Sequence, residues 1–331
     1  MMYPMKAAVR DRYGPPAVVH IRDVEAPAPR DGEVLVRVHA ASVNRADLDA
    51  LYARWAFLRL FLGLRRPRNH RLGIDAAGVV ESVGPRVARL RPGDRVFGDL
   101  FPYGQDAYSE LVCAPERAFA TIPAGLPFEE AATLPHSGIL ALQGLRRRDG
   151  RGVAQGTRVL VVGASGSVGP FAVQIAKARG AHVTGVARTD KLDFVRSLGA
   201  DAVIDYTAVD YTRPAERYDW ILDVNAHHSV LSWRHAVRQD GVYAALGGDS
   251  AAWFAQAIVE GPALSLATRR HMGLVLHWKP FHPPDVEELL AMVAAGEVKP
   301  AIDRRFPLSE LVEALRYVDD GHARGKVIMT I

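Results

Sequence analysis

The stretch RVLVVGASGSVGPFAVQIAKARG, from Arg158 to Gly180, constrains the fold more than any other part of the chain. A β-branched apolar run breaks at Gly163, meets Gly166 and Gly169 at intervals of three, and passes into a helical pattern that ends at Gly180. Glycines so placed permit a tight turn, close approach of backbone to a ligand, and close packing of helix on strand. The N–H groups that open the helix then face an anion, assisted by the helix dipole. Pro170 suits a first helical turn, where a missing N–H costs little. A glycine triplet alone is a common turn. Between a strand and a helix, and followed by further strand–helix units, it predicts a dinucleotide pyrophosphate site.

Those further units are present. HVTGVAR, AVIDY, YDWILDVN and VYAALGG read as strands, KLDFVRSLG and WRHAVRQDG as helices, and GLVLHW (Gly273–Trp278) as a sixth strand. Apolar strands alternating with helices predict an α/β domain with a doubly wound parallel sheet of the Rossmann type, covered on both faces. The N-terminal part reads differently. GEVLVRVHAASV and AAGVVESVG alternate apolar and polar residues, and RPGDRVFG and DAYSELVCAP add short strands with Pro and Gly punctuation. That pattern predicts a compact, partly open β-barrel. The texture changes near Pro123, at PFEEAATLP, and the chain closes with a helix over Val286–Ala295, another helix and a last strand. The expected division is residues 124–279 for the dinucleotide domain, with 1–123 and 280–331 forming the other.

At 331 residues, 49% hydrophobic and 24% charged, the chain has the composition of a globular protein of about two domains. Cys113 is the single cysteine, which excludes an internal disulfide and a multi-thiolate zinc site and suits a reducing cytoplasm. No long apolar core marks a secretory signal at the N-terminus, and no run approaches the roughly 20 residues needed to span a bilayer. A net charge of +4 and a pI of about 9.2 read as a solvated, arginine-rich surface with no nucleic-acid stripe. One segment mixes basic and aromatic residues, Ala53–Arg71, with Trp55, Phe57 and Phe61. It reads either as a helical lid over a pocket or as an amphipathic helix on an anionic surface.

The second strand of the dinucleotide domain predicts which nucleotide is bound. An acid normally ends that strand and holds the adenine ribose. Here Ala187 takes its place, followed by Arg188, Thr189 and Lys191. Cations there donate charge-assisted hydrogen bonds to a 2′-phosphate, which favours NADPH over NADH. The plainer reading makes Arg188 and Lys191 surface cations at a helix start.

The run from Val159 to Tyr206 resembles the cofactor domain of the medium-chain dehydrogenase/reductase superfamily, in its zinc-independent quinone oxidoreductase branch. GEVLVRVHAASVNRADL, GIDAAGVVESVGPRVARLRPGDRVFG, AYSELV, FEEAATLP and ARGKVIMTI extend the likeness over nearly the whole chain in family order. The resemblance implies a GroES-like catalytic domain beside the Rossmann domain, and a homodimer formed through the Rossmann domains. Around the cofactor it implies the loop Gly163, Ala164, Ser165, Gly166, Ser167, Val168 and Gly169. Tyr206 would join Arg188, Thr189 and Lys191 at the 2′-phosphate, and Asn225, Gly247 and Lys326 would complete the site.

By the same likeness, zinc-using relatives hold their metal where this chain has Asn44 and the pair Ile74–Asp75. A catalytic zinc needs three Cys, His or carboxylate ligands, isoleucine cannot serve, and no H-E-x-x-H occurs, so a metal-free site is expected. Without a Lewis acid, the chemistry left is hydride delivery to a small electron-poor acceptor, a quinone or an α,β-unsaturated carbonyl. In the family's site-forming segment, Asn44 is a candidate donor to the acceptor oxygen, Tyr52 a candidate proton donor, and Asp47 a residue that fixes its neighbours. Each also has a plain role: Asn44 and Asp47 as caps, Tyr52 as lid packing. His136 is a proton source or a packed histidine, and Ala226, His227 and His228 crowd the cofactor's edge. A reading of another class is an NADP(H)-binding scaffold or membrane-associated adaptor, supported only by Ala53–Arg71.

Overall fold

A computed structural model describes residues 4–53, 59–60 and 62–331. Trp55, Phe57 and Phe61, on which both readings of Ala53–Arg71 rest, lie outside the described residues. The chain divides into two compact units: Met1–His136 with Pro280–Val286 and Ile302–Ile331, and Ser137–Lys279 with Glu287–Ala301.

In the first unit β1 (Pro4–Arg10) and β2 (Val19–Glu25) pair antiparallel. The main sheet is built on β3 (Glu33–Val43), eleven residues long, which pairs with β4 (Asp75–Val83) along one side from Val34 to Ser42. Its other side is shared by β6 (Leu111–Pro115) near the start and β15 (Lys326–Thr330) near the end. β5 (Arg95–Asp99) and β7 (Phe119–Thr121) extend the β4 side, and β14 (Ile302–Pro307) extends the β15 side. Val34, Val36 and Val38 on β3 are buried while Arg37 and His39 face outward, the period-2 alternation of a half-buried strand. Helices α1 (Arg45–Tyr52), α2 (Phe128–Ala131) and α8 (Leu311–Asp319) belong to this unit.

The second unit has six parallel strands: β8 (Arg158–Val162), β9 (His182–Ala187), β10 (Ala202–Asp205), β11 (Tyr218–Asp223), β12 (Val237–Ala245) and β13 (His271–Leu274). They lie in the order β10-β9-β8-β11-β12-β13, with α3 (Ile139–Gly144), α4 (Gly169–Ala178), α5 (Leu192–Ser197) and α6 (Ala251–Ala267) around them. This is the doubly wound order 3-2-1-4-5-6, whose direction reverses between β8 and β11. Leu160, Ile221 and Tyr243 form its buried centre with Trp233.

Three expectations are corrected. The division falls after His136, not at Pro123, because α2 stays with the barrel: Phe128 stacks on His39 at 4.6 Å and carries the Arg95 guanidinium over its ring at 4.5 Å. Residues 287–301 leave the barrel because, in α7 (Pro283–Ala294), Glu288 pairs with Arg146 and Arg179, and Leu289 lies against Gly138. WRHAVRQDG is not a helix. A short 3-10 turn ends at His235 and β12 begins at Val237, and a register shift absorbs Asp240, at φ +66°, with Gly241.

Candidate functional site

Three neighbouring strands of the first unit bring polar side chains into one row, since Ser42 on β3 pairs with Asp75 on β4, which pairs with Asp99 on β5. All three are essentially without solvent exposure, and Lys326, at the start of β15, joins them at 1%. Its Nζ donates to Asn44 Oδ1 at 2.6 Å and lies 3.4 Å from Asp75 Oδ2. Asn44 Nδ2 donates to Asp75 Oδ2 at 2.9 Å and to the Ser42 carbonyl at 3.2 Å, while Ser42 Oγ donates to Asp75 Oδ2 at 2.7 Å. The other Asp75 oxygen accepts the His136 backbone N–H at 3.0 Å, and the His136 ring lies 3.3 Å from Asp99 Oδ2. Burial pushes Asp75 up and Lys326 down, each toward its neutral form, and their mutual attraction opposes both shifts.

This geometry bears on four assignments: it agrees with Asp47 as the residue that fixes its neighbours, and differs from the readings of Asn44, Tyr52 and Lys326. The Asn44 amide is engaged on both atoms inside the protein, so it fixes Asp75 and Lys326 instead of presenting an N–H to an acceptor oxygen. Asp47 accepts the Asn44 backbone N–H at 2.8 Å and the Tyr108 hydroxyl at 2.9 Å, both on Oδ2, closing the first turn of α1. The Tyr52 hydroxyl donates to Asp319 on α8, a partner the sequence does not suggest. Lys326, expected at the cofactor, is buried in the row just described.

Asp47 Oδ1 is buried without a partner, and burial raises this carboxyl to about 7. Asp106 and Asp223 are raised to about 7 for the same first reason. An acid whose pKa is raised on folding keeps its proton where the unfolded chain has lost it, so stability falls as pH rises from about 4 to about 7. His136, also raised, by Asp99 and Asp75 against burial, acts in the same direction. The melting temperature is therefore expected to be higher at pH 5.5 than at pH 8. A scan in which it climbs steadily to pH 8 would contradict these assignments.

In the second unit the residues expected to hold a nucleotide, Lys326 apart, gather at the carboxyl ends of the parallel strands. Gly163 ends β8 at φ +78°, the left-handed region that favours glycine. The Ala164 N–H donates to the Val186 carbonyl and Gly166 N–H to that of Gly163, which holds the loop in place. A Cβ on Gly169 would stand 2.2 Å from the Gly163 carbonyl oxygen and 2.5 Å from Ala164, so the N-terminus of α4 is pressed against the loop. A Cβ on Gly166 would meet only the Gly163 oxygen, at 3.5 Å, and a Cβ on Gly247, beyond β12, would meet nothing within 4 Å. The backbone is thus open to an incoming group at these two glycines. Gly166 and Ser167 are partly exposed, whereas Ala164, Ser165 and Val168 are buried, so these three shape the loop more than they meet a ligand.

At the end of β9 the Arg188 guanidinium makes a bidentate contact with Asp190, at 2.6 and 3.0 Å. That pair holds the Asp190 carboxyl down, to about 2. Thr189 Oγ1 donates to Asp205 Oδ2 at 2.5 Å, and Tyr206 is half exposed. Lys191 is 6% exposed and does not stand on the surface beside Arg188. The positive charge expected here is therefore partly neutralised within the chain. At the end of β11, Asn225 Nδ2 lies 2.9 Å from His227, whose other ring nitrogen is 3.0 Å from Asp249. Beneath it Asp223 accepts the Tyr243 hydroxyl at 2.9 Å. A cavity of about 430 Å³, lined by Arg146, Arg148, Trp220, Tyr243, His271 and His277, contains none of the residues expected at the nucleotide.

A sheet in this order, with a glycine loop at its switch point, has the architecture of a dinucleotide-binding domain, here in one chain with a second, β-rich unit. Comparison with known proteins specifies the class. Residues 30–143 match the alcohol dehydrogenase GroES-like domain and residues 198–329 the zinc-binding dehydrogenase family. The chain is 32% identical to the NAD(P)H oxidoreductase RTN4IP1, mitochondrial, of Mus musculus, over 99% of its own length and 89% of that protein. It is 28% identical to the NADPH-dependent alkenal/one oxidoreductase, chloroplastic, of Arabidopsis thaliana, over 98% and 79%. The solved structure of the quinone oxidoreductase from Coxiella burnetii superposes with a TM-score of 0.87, covering 99% of this chain and all of that one at 29% identity. The chain belongs to the medium-chain dehydrogenase/reductase superfamily, in its quinone oxidoreductase-like branch, and is an NAD(P)H-dependent oxidoreductase. One expectation is overturned: relatives of the same fold carry mitochondrial and chloroplastic names, so the cytoplasmic assignment is withdrawn. A low cysteine count reports a setting without structural disulfides, and it does not tell one reducing compartment from another.

Proposed function

We propose that this protein reduces a quinone or an α,β-unsaturated carbonyl compound with NADPH, without a bound metal, and that its working form is a homodimer. The observation that carries the metal-free part is the Lys326 ammonium, buried against Asn44 and Asp75, the positions at which the family resemblance implies metal ligands in zinc-using relatives. A fixed positive charge at 3.4 Å from the one carboxylate of that pair opposes a divalent cation there. Among the described residues, no group of three or more His, Cys, Asp or Glu is placed to hold a metal.

The glycine loop fits a pyrophosphate, with the backbone open at Gly166 and the N-terminus of α4 aimed at it, and Asn225 and Gly247 stand at the same end of the sheet. NADPH, when bound, supplies the hydride. Arg188 binds the 2′-phosphate in exchange for its contact with Asp190, and Thr189 and Tyr206 flank it. Because Asn44 and Tyr52 already donate within the protein, the proton that completes the reduction comes from water. The names of relatives that reduce quinones and alkenals support the choice of acceptor. The test is turnover of NADPH with 1,4-benzoquinone and with a simple enone, set against NADP⁺ with primary and secondary alcohols. Activity confined to the alcohols would refute the proposal.

A further inference from the structure

The turn that joins α3 to β8 stands over one face of the parallel sheet. Trp220 on β11 pairs with Val242 on β12, and Val242 with His271 on β13, so these side chains form a row across three strands on a single face. The next pair, Ala244 with Gly273, carries one methyl group and no side chain, which leaves the floor low. The segment over it folds back on itself: Arg146 bridges to Gly152, the Arg147 N–H donates to the Arg151 carbonyl, and Gly150 lies at φ +84°. Between this turn and the sheet is the cavity of about 430 Å³.

Its inner wall is apolar and the turn beside it is positive. Trp220, Val242, Ala244 and Val275 line the inside. The polar side chains among them are engaged within the chain. The Trp220 indole N–H donates to the Gly144 carbonyl at 3.0 Å, the Tyr243 hydroxyl donates to Asp223, and the Ser265 hydroxyl donates to the Gly261 carbonyl at 2.8 Å and accepts the Met272 N–H at 3.0 Å. Around the turn, Asp149 is shared by Arg147 and Arg151, and Glu288 by Arg146 and Arg179, so four guanidiniums have two carboxylates between them. Arg148 is a fifth, exposed, and among the described residues it has no ion-pair partner. His271 adjoins them; burial first, and then the Arg147 guanidinium, hold it below its ordinary value. Negative charge is lacking here.

We propose that this cavity is a ligand site separate from the glycine loop, and that it takes a small amphipathic carboxylate, with an aromatic or short acyl body against Trp220, Val242 and Val275 and its carboxylate at Arg148. Three features select that class. A guanidinium fork without an ion-pair partner matches the two oxygens of a carboxylate. Wall side chains whose donors are already engaged disfavour a sugar or a nucleotide, whose hydroxyls would be buried unpaired. The volume is near the lower end of the roughly 300–1,000 Å³ of ligand clefts, which gives room for one ring or a short chain. Inorganic phosphate would meet the charge and gain nothing from the walls. Every lining residue belongs to the second unit, and none is among those expected at the nucleotide, so binding does not compete with NADPH.

The test is isothermal titration of the full chain, saturated with NADPH, with 4-phenylbutyrate. One equivalent is expected to bind per chain. The uncharged 4-phenylbutan-1-ol should bind about ten- to a hundredfold more weakly, the worth of a charge-assisted hydrogen bond. Arg148→Glu should weaken 4-phenylbutyrate by roughly tenfold or more, and leave the melting curve and NADPH turnover as they were, since Arg148 is exposed and makes no ion pair. Ala244→Leu, whose side chain would occupy the floor, should abolish binding. Its melting curve shows whether the fold is kept, and Arg148→Glu, which needs no repacking, decides if it is not. Absence of binding at 5 mM overturns the inference. So does an affinity for the alcohol or for inorganic phosphate equal to that for 4-phenylbutyrate, since the first needs no charge and the second no wall. A signal that appears only without NADPH, or that Arg188→Ala removes and Arg148→Glu does not, would place the ligand at the glycine loop and overturn the inference as well. None of these results bears on whether the loop itself binds NADPH.

Discussion

Lys326→Met is expected to destabilise the protein by about 3–5 kcal/mol, because it removes one partner of a buried pair and leaves the other in place. Asp75 would lose the ammonium that opposes its desolvation, and Asn44 Oδ1 would lose its 2.6 Å donor, both at positions buried from solvent. At roughly 2–4 °C per kcal/mol the melting temperature should drop by about 6–20 °C. The double variant Lys326→Met with Asp75→Asn, which leaves no charge unpaired, should recover part of the loss. Differential scanning calorimetry of the three proteins checks this. A single-variant loss below about 1 kcal/mol would show that the lysine is not held as described.

Arg188→Ala should weaken NADPH binding by about ten- to a hundredfold, the worth of one charge-assisted hydrogen bond, and leave NADH binding nearly unchanged. The contact with Asp190 adds a second expectation. Since the guanidinium is held by Asp190 at 2.6 and 3.0 Å, a 2′-phosphate has to compete for it and also meets the Asp190 charge. Asp190→Ala should therefore tighten NADPH binding severalfold without a comparable change for NADH. Isothermal titration of both nucleotides against the two variants separates these outcomes. Equal losses for NADPH and NADH in Arg188→Ala would remove the phosphate from this end of the site.

The glycine loop, the parallel sheet and the barrel were legible because each rests on local spacing: glycines three apart, apolar runs, period-2 alternation. What escaped depends on register and on side-chain direction. Nothing in the sequence aligns Ser42, Asp75 and Asp99, which meet only because three strands pair at those positions. Lys326 follows a glycine near the C-terminus and was placed at the cofactor by resemblance alone, and its buried partners appear only when β15 is set beside the end of β3. Asp190 is visible two residues from Arg188, but the direction of its carboxylate is set by the turn between them. WRHAVRQDG satisfied a helical pattern until pairing along β11 drew Val237 and the residues after it into a strand. Residues 251–267 form α6, which the sequence reading did not single out, and its closeness to the sheet edge depends on Gly261 and Ser265 facing Met272, a tertiary fact.

The central claim is tested most directly by a single-turnover measurement on protein freed of metal by exhaustive chelation. Mixed with NADPH and a simple enone, such protein should oxidise the nicotinamide at the same rate before and after chelation, and yield the saturated ketone. Loss of that reaction on chelation, with recovery on adding one equivalent of Zn²⁺, would contradict the account.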